Sequence, residues 1–126
     1  NEVCDVGPMG VTALQAAYNH GEEWLEELLE YLHGNYECLK EFFYENMPQL
    51  TVTKLEATYL VWVDCSVLGK PSTTIVEELK EQKKLWLNDG EMYGETEHPF
   101  VRINIACPRS VMLKGLQLFA DYVNGK

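Results

Sequence analysis

The feature that most constrains this chain is a strongly apolar run near its C-terminus with an arginine at its centre. Phe100, Val101, Ile103 and Ile105 surround Arg102, and their composition predicts an interior strand over residues 100–106. A guanidinium in such a strand is costly unless an anion pairs with it. Either a carboxylate of the protein or a ligand must supply that anion, and the spacing of residues leaves both open. The planar fork of arginine suits a ligand carboxylate, which it can hold through two parallel hydrogen bonds.

The remaining patterns predict a small α/β unit in which helices cover a short sheet. Apolar residues at steps of three and four predict helices over residues 11–19, 22–46, from the Ser72/Thr73 cap to about 83, and from Pro108 to about 123; apolar runs predict strands over 50–53, 58–64, 85–87 and 100–106. Ser72 or Thr73 is the expected N-cap of the third helix, and residues 88–90 are an expected turn. Continuous apolarity over 58–64 indicates burial on both faces, with Tyr59 and Trp62 in the core. A long helix, a few strands and a closing helix form an α+β two-layer sandwich.

Charge and composition exclude several classes of function. The chain has 126 residues and a formal net charge of −10, with 46% hydrophobic and 24% charged residues. Such an acidic chain repels nucleic acid and anionic lipid, so neither is an expected partner. No apolar run approaches the roughly 20 residues that a membrane-spanning helix needs, and the N-terminus lacks the features of a signal peptide. We therefore expect a cytoplasmic protein that does not associate with membranes.

The cysteines and histidines lack the spacing of a metal site. Four cysteines stand far apart without a CxxC pair, at Cys4, Cys38, Cys65 and Cys107. We interpret them as free thiols in a reducing compartment, with a disulfide as the less favoured alternative. Three histidines, at positions 20, 33 and 98, share no metal-ligand spacing. No metal site is predicted.

Four segments, in order along nearly the whole chain, resemble a known enzyme family. They are AYNHGEEWL at 17–25, EATYLVWVDC at 56–65, LNDGEMYG at 87–94 and FVRINIACPR at 100–109. This ordered set resembles the C-terminal region of fold-type I pyridoxal-phosphate (PLP) enzymes, and most closely the MalY/PatB-type branch of the aminotransferase superfamily, which includes cystathionine β-lyases.

The resemblance implies a fold, a cofactor and partners. Residues 1–21 would be the tail of a large cofactor-binding domain, and residues 22–126 the small C-terminal domain that packs on it. The Schiff-base lysine, the phosphate-binding loop and the acid that pairs with the PLP ring would lie upstream, so this chain alone is expected to contain no catalytic or cofactor-binding residue and to be inactive. The whole enzyme would bind PLP and an amino-acid substrate and would form a homodimer. Its reaction would be C–S β-elimination, as in a cystathionine β-lyase, or transamination.

Three residues acquire candidate roles in substrate binding from the resemblance. Arg102 takes the position of the family's substrate-carboxylate arginine, which orients an amino acid for reaction at Cα. Tyr93 stands in the family's aromatic–glycine pair, in a loop that either closes over the substrate or forms an ordinary turn. Asn104 either holds the end of the strand or orients Arg102. Arg109 is expected to have a structural role beside a carboxylate, since a cation is unfavourable at a helix N-terminus.

A second hypothesis comes from a different class of protein. The chain could be a self-standing, non-catalytic domain of the same ancestry that binds a partner or a small carboxylate. A detached small domain should expose the apolar face that met its large domain, and should self-associate. A self-standing module should be monodisperse and should unfold cooperatively.

Overall fold

The computed structural model describes residues 7–94 and 97–126. It divides into two compact units, residues 1–33 and 34–126. The helices are α1 (Pro8–His20), α2 (Glu22–Asn46), α3 (Ser72–Lys83) and α4 (Arg109–Val123), and the strands are β1 (Thr51–Val52), β2 (Leu60–Asp64), β3 (Asn88–Asp89) and β4 (Phe100–Asn104). Short 3-10 turns span Ser66–Leu68 and Gly90–Tyr93. The unit boundary lies within α2, and the predicted domain division at residue 21 stays a prediction.

The first unit contains α1 and the N-terminal part of α2. Gly21 separates the two helices, and its N–H donates to the Ala17 carbonyl at the end of α1. No side chain of α1 is buried, although the helix carries large apolar residues; Met9 and Tyr18 are 82% and 84% exposed. A helix with this much exposed apolar surface gains little stability from packing within its own unit.

The second unit is built on a four-stranded antiparallel sheet with the strand order β1-β2-β4-β3. Alternate residues of the two central strands, Val61 and Val63 of β2 and Val101 and Ile103 of β4, are buried. They join one apolar core with side chains of the helices, among them Leu39 and Phe43 (α2), Ile75 and Leu79 (α3), and Leu116 and Phe119 (α4). One face of the sheet is therefore covered by helices, which confirms the predicted α+β two-layer architecture.

The other face of the sheet is called here the open face. Its exposure contradicts two predictions, the burial of β2 on both faces and the placing of Tyr59 and Trp62 in the core. Burial on β2 alternates, so Trp62 is only half-buried and the strand is not enclosed on both sides. Trp62 lies on the open face rather than in the core, and Tyr59 precedes the strand with 43% of its surface exposed. The prediction was wrong because apolar residues occupy both faces of β2, and a sequence without alternation cannot show which face is covered.

The predicted strand over residues 85–87 is also wrong, because the pairing begins one residue later. Helix α3 ends with Lys84 in the left-handed region (φ 56°), and the Leu85 N–H donates back to the Leu79 carbonyl. This helix-ending geometry keeps the next residues out of the sheet. Strand β3 then uses Asn88 and Asp89, which the sequence indicated as a turn, and pairs them with Arg102 and Val101.

The helices agree more closely with the sequence. The bounds of α2 match the prediction and α3 ends at Lys83 as predicted, whereas α4 begins at Arg109 because Pro108 is its N-cap rather than its first helical residue. The predicted capping at Ser72 is wrong, because Pro71 is the N-cap and the Ser72 hydroxyl donates to Asp89 instead. Glu78 of α3 is the acceptor for Lys70 Nζ at 2.6 Å and for the Tyr122 hydroxyl of α4. The hydrogen bond from Lys70, and then that from Tyr122, hold the pKa of Glu78 below its usual value.

No helix in the described part of the chain is long and apolar enough to cross a membrane. Cys38, Cys65 and Cys107 are free thiols, as predicted, whereas Cys4 lies outside the described residues. Burial, followed by the nearby Asp64 charge, raises the pKa of Cys65 to about 12. Residues 7–94 and 97–126 contain no group of three side chains that could hold a metal ion.

Candidate carboxylate-binding site

Arg102 lies at the centre of β4 and points to the open face. Its neighbours in sequence, Val101 and Ile103, are buried in the core, and successive side chains of a strand point to opposite faces. The backbone of Arg102 pairs with Trp62 of β2 on one side and with Asn88 of β3 on the other. An arginine held between two strands has a fixed backbone, so only its side chain remains to be oriented.

Three rings on the open face, Trp62, Tyr93 and Phe100, form an aromatic platform beside the guanidinium. Arg102 Cζ lies 4.3 Å from the centroid of the Tyr93 ring, a cation–π arrangement. Tyr93 meets Trp62 edge to face with centroids 5.5 Å apart, and Trp62 meets Phe100 in the same way at 6.2 Å. A guanidinium that lies over a ring keeps its N–H edges free in the plane of the group.

The Nε atom of Arg102 is buried and has no hydrogen-bond partner among the described residues. No salt bridge joins Arg102 to a carboxylate within residues 7–94 and 97–126. A buried donor without an acceptor costs about 1–3 kcal/mol, and more when the group is charged. The sequence left two sources open for the anion, a carboxylate of the protein or a ligand. The described residues supply no carboxylate for Arg102.

The donors at this site fit a substrate better than they fit a cofactor. A guanidinium provides N–H donors with the spacing of a carboxylate, and the aromatic platform provides flat apolar surface. Arg102, Tyr93 and Asn104 offer neither an amine that could bond to the PLP aldehyde nor an acid that could pair with the nitrogen of its ring. These three residues would therefore contact a substrate, while the cofactor would need residues from elsewhere.

Tyr93 is held by a compact turn that follows β3. The carboxylate of Asp89 accepts hydrogen bonds from the Ser72 hydroxyl at 2.6 Å and from the Glu91 N–H at 3.0 Å. Gly90 is required by close packing, because a Cβ there would lie 2.4 Å from the Phe100 carbonyl oxygen. The turn thus places the Tyr93 ring beside β4. Tyr93 itself is 50% exposed.

Asn104 is exposed at the end of β4, and its side chain serves the backbone. Its Oδ1 accepts a hydrogen bond from the Ala106 N–H at 2.8 Å. This contact closes the strand end, which was one of the two roles open from the sequence. A contact between Asn104 and a substrate stays a prediction.

Asn35 and Arg109 connect the end of β4 to helix α2. Asn35 is fully buried, and its Nδ2 donates to the carbonyls of Ile105 and Cys107 at 2.9 and 3.1 Å. Arg109 Nε donates to Asn35 Oδ1 at 3.1 Å, which is a structural contact as expected, although the acceptor is an amide; the predicted carboxylate partner of Arg109 stays a prediction. The sequence analysis did not single out Asn35; its signal is a polar residue at an inward position of an amphipathic helix.

A second polar group, which the sequence analysis missed, lies where β2 ends. Ser66 Oγ donates to Asp64 Oδ1 at 2.5 Å and lies 2.9 Å from His98 Nδ1. Burial raises the pKa of Asp64, but the hydrogen bonds from Ser66 and the charge of His98 outweigh it and leave the pKa below its usual value. The serine bridges the other two side chains, whereas a nucleophilic triad needs the histidine in the middle. The group therefore joins β2 to the segment before β4.

Comparison with known proteins connects this geometry to one group of enzymes. Cystathionine beta-lyase PatB from Bacillus subtilis is 30% identical over 117 residues, which are 93% of this chain and 30% of PatB. Protein MalY from Escherichia coli is 35% identical over 108 residues, or 86% of this chain and 28% of MalY. The chain is homologous to the MalY/PatB-type enzymes of fold type I. No protein-family model matches it.

A solved structure places this homology on the fold. The PLP-bound putative aminotransferase from Clostridium difficile 630 matches with a TM-score of 0.89 and 40% identity, over 94% of this chain and 30% of that chain. The predicted resemblance to a C-terminal portion of the MalY/PatB type is thereby confirmed. This chain spans about 30% of the length of the MalY/PatB relatives it matches.

Proposed function

We propose that this chain is the substrate-carboxylate-binding part of a longer PLP-dependent enzyme that cleaves the C–S bond of a sulfur-containing amino acid. The observation that carries the proposal is Arg102, whose buried Nε lacks an acceptor in the described residues and whose guanidinium lies over Tyr93. A cation held in this way has its binding edges available for an anion. The carboxylate of an amino acid is the anion that this enzyme class must bind.

The division of work follows from the donors that are present. PLP, when bound to the whole enzyme, supplies an electron sink for the negative charge that develops at Cα. Arg102 binds the substrate carboxylate through parallel N–H donors and so fixes the orientation of the Cα–H bond. Tyr93 holds the plane of the guanidinium, and Asn104 lies two residues further along the same face of β4, within reach of the same substrate.

Cleavage of a C–S bond is favoured over transamination by the names of the relatives. PatB is a cystathionine beta-lyase, while the solved structure with 40% identity is described as a putative aminotransferase. Both reactions begin with loss of the Cα proton, and Arg102 serves both equally. They differ in their products, because β-elimination releases a thiol and transamination does not.

The exposed apolar residues support a large-domain partner for this chain. Helix α1 buries no side chain, and Trp24 at the start of α2 is 66% exposed. Apolar surface of this extent usually contacts another protein surface. We assign residues 1–21 to the tail of the cofactor-binding domain and residues 22–126 to the small domain. The whole enzyme is further proposed to be a homodimer that contains PLP.

The test uses the longer protein that contains this chain, supplied with PLP and assayed with cystathionine for thiol release. Arg102→Lys keeps the charge but loses the fork, and Arg102→Ala loses both. Two charge-assisted hydrogen bonds predict a fall in kcat/KM of about 100-fold or more for Arg102→Ala. Lys114→Met is the control for net charge, because this exposed lysine of α4 lies outside the site; its kinetics should match those of the unmodified enzyme.

Three results would contradict parts of this proposal. Unchanged kinetics for Arg102→Ala would exclude the carboxylate role. Consumption of an amino acid and a keto acid without release of thiol would replace the lyase by an aminotransferase. A native protein of 126 residues that is monodisperse, unfolds cooperatively and lacks lyase activity would instead support the self-standing binding module.

A further inference from the structure

We propose that Trp62 is a positioning residue for the carboxylate site, which holds the Tyr93 ring against Arg102 and thereby sets the plane of the guanidinium. The inference rests on the proposed role of Arg102 and extends it to a residue that contacts no substrate. The sequence suggested that Trp62 was an ordinary core aromatic. Its position on the open face gives it a different environment.

The pairing of β2 with β4 fixes the position on the sheet from which the Trp62 side chain extends. Trp62 is the direct partner of Arg102 in the antiparallel register, so the two side chains leave the sheet on the same face and side by side. Val61 and Val63, on either side of Trp62, are anchored in the core. A shift of Trp62 along the strand would move both valines out of the core, which makes the indole a rigid element of the site.

The contact with the Trp62 ring then restrains the orientation of the Tyr93 ring. The indole meets the Tyr93 ring at 5.5 Å between centroids with an interplanar angle of 86°, and it also contacts the Phe100 ring edge to face at 6.2 Å. Tyr93 belongs to a short turn rather than to a strand, and half of its surface is exposed. Among the ring contacts of the described residues, the one with Trp62 is the aromatic contact that orients Tyr93.

The orientation matters because a carboxylate approaches a guanidinium in its plane. Arg102 Cζ lies 4.3 Å from the Tyr93 centroid, so a tilt of the Tyr93 ring tilts the plane in which the carboxylate must lie. Bidentate binding depends strongly on coplanarity. Removal of Trp62 should therefore weaken carboxylate binding while every atom of Arg102 is retained.

Two measurements test the proposal. In the longer enzyme with isotopically labelled arginine, the ring current of Tyr93 should displace the Arg102 Nε–H resonance of the wild-type protein. Trp62→Ala should return that resonance toward its ordinary position, and Trp62→Phe should retain part of the displacement, because phenylalanine restores an edge-to-face partner. Trp24→Phe is the matched control, since it makes the same substitution in the other compact unit, and it should leave the resonance unmoved.

In the longer enzyme, Trp62→Ala should raise KM for the amino acid about five- to tenfold with a smaller change in kcat, and Trp62→Phe should recover most of the loss. Should Trp62→Ala fail to fold, Trp62→Phe decides the question through the Arg102 resonance and KM together. The positioning role would be overturned if the Trp62 variants left the Arg102 resonance and KM unchanged although Arg102→Lys raised KM. Failure of Arg102→Lys to change KM would instead overturn the proposed function itself.

Discussion

Replacement of Asn35 by alanine is the perturbation whose cost follows most directly from the structure. The side chain is fully buried in α2 and makes three hydrogen bonds that reach the segment after β4. Alanine keeps the helix, because it is the best helix former. It removes both donors to the Ile105 and Cys107 carbonyls and the acceptor for Arg109 Nε. The change thus isolates one polar bridge between α2 and the start of α4.

The magnitude depends on how far each abandoned partner can reach water. The bond to the Ile105 carbonyl is buried, so that oxygen loses its partner without gaining a water, at a cost of about 2 kcal/mol. The bonds to Cys107 and Arg109 are only partly buried, and each should cost about 0.5 kcal/mol because solvent can compensate. The expected loss is about 3 kcal/mol, a large part of the stability of an ordinary domain.

The assay is urea unfolding of the 126-residue chain, followed by circular dichroism and compared with Asn46→Ala. Asn46 is the matched control, because the hydrogen bond that its Nδ2 makes with the described residues stays within the same helix, to the Phe42 carbonyl. Its loss should change the free energy of unfolding by no more than about 0.5 kcal/mol. If Asn35→Ala costs less than about 1 kcal/mol, as the control should, the buried bridge is absent in solution and the estimate from its three hydrogen bonds fails.

Two further predictions concern packing and pH. Gly90→Ala should destabilise the fold by about 1–3 kcal/mol in urea unfolding, because its Cβ would lie 2.4 Å from the Phe100 carbonyl oxygen. Gly115→Ala in α4 is the control: its Cβ would make an ordinary 3.5 Å contact with the Leu85 side chain, so it should be neutral or stabilising. Equal effects of the two substitutions would contradict the packing argument. Glu78 has a folded pKa below its ordinary value of 4.5, so its contribution is present above that pH and is lost as the pH falls through the folded pKa. The unfolding free energy of Glu78→Gln should fall less than that of the wild-type chain between pH 7 and about pH 3, and parallel curves would show that this carboxylate is not linked to folding.

The elements that sequence patterns specify locally were predicted well. Helix α2 was predicted with its observed bounds because its apolar residues recur at helical spacing and Pro48 follows it closely. The strand with Arg102 was recognised from its composition, although it ends at Asn104 rather than at residue 106. In each case the signal lies within the segment itself, so no knowledge of distant contacts was needed.

The features that depend on distant partners were not predictable. The position of β3 follows from how α3 ends and from the hydrogen bond between Ser72 and Asp89, residues 17 positions apart. The side of the sheet that Trp62 occupies depends on where the helices pack, and an apolar residue on either face gives the same sequence signal. The role of Asn35 could not be deduced because its acceptors lie 70 and 72 positions away.

The residues of the open face suit contacts with groups that do not belong to this chain. A sheet with one solvated face normally alternates apolar and polar residues, yet β2 and β4 place Leu60, Trp62 and Phe100 on the side away from the helices. On the same side stands Arg102, whose Nε is buried without an acceptor in the described residues. A face that is apolar and also carries an incompletely bonded cation suits a surface that receives another domain and a small anion together. The rigid strand pair below it fixes the cation in advance, so binding of a carboxylate need not order the site.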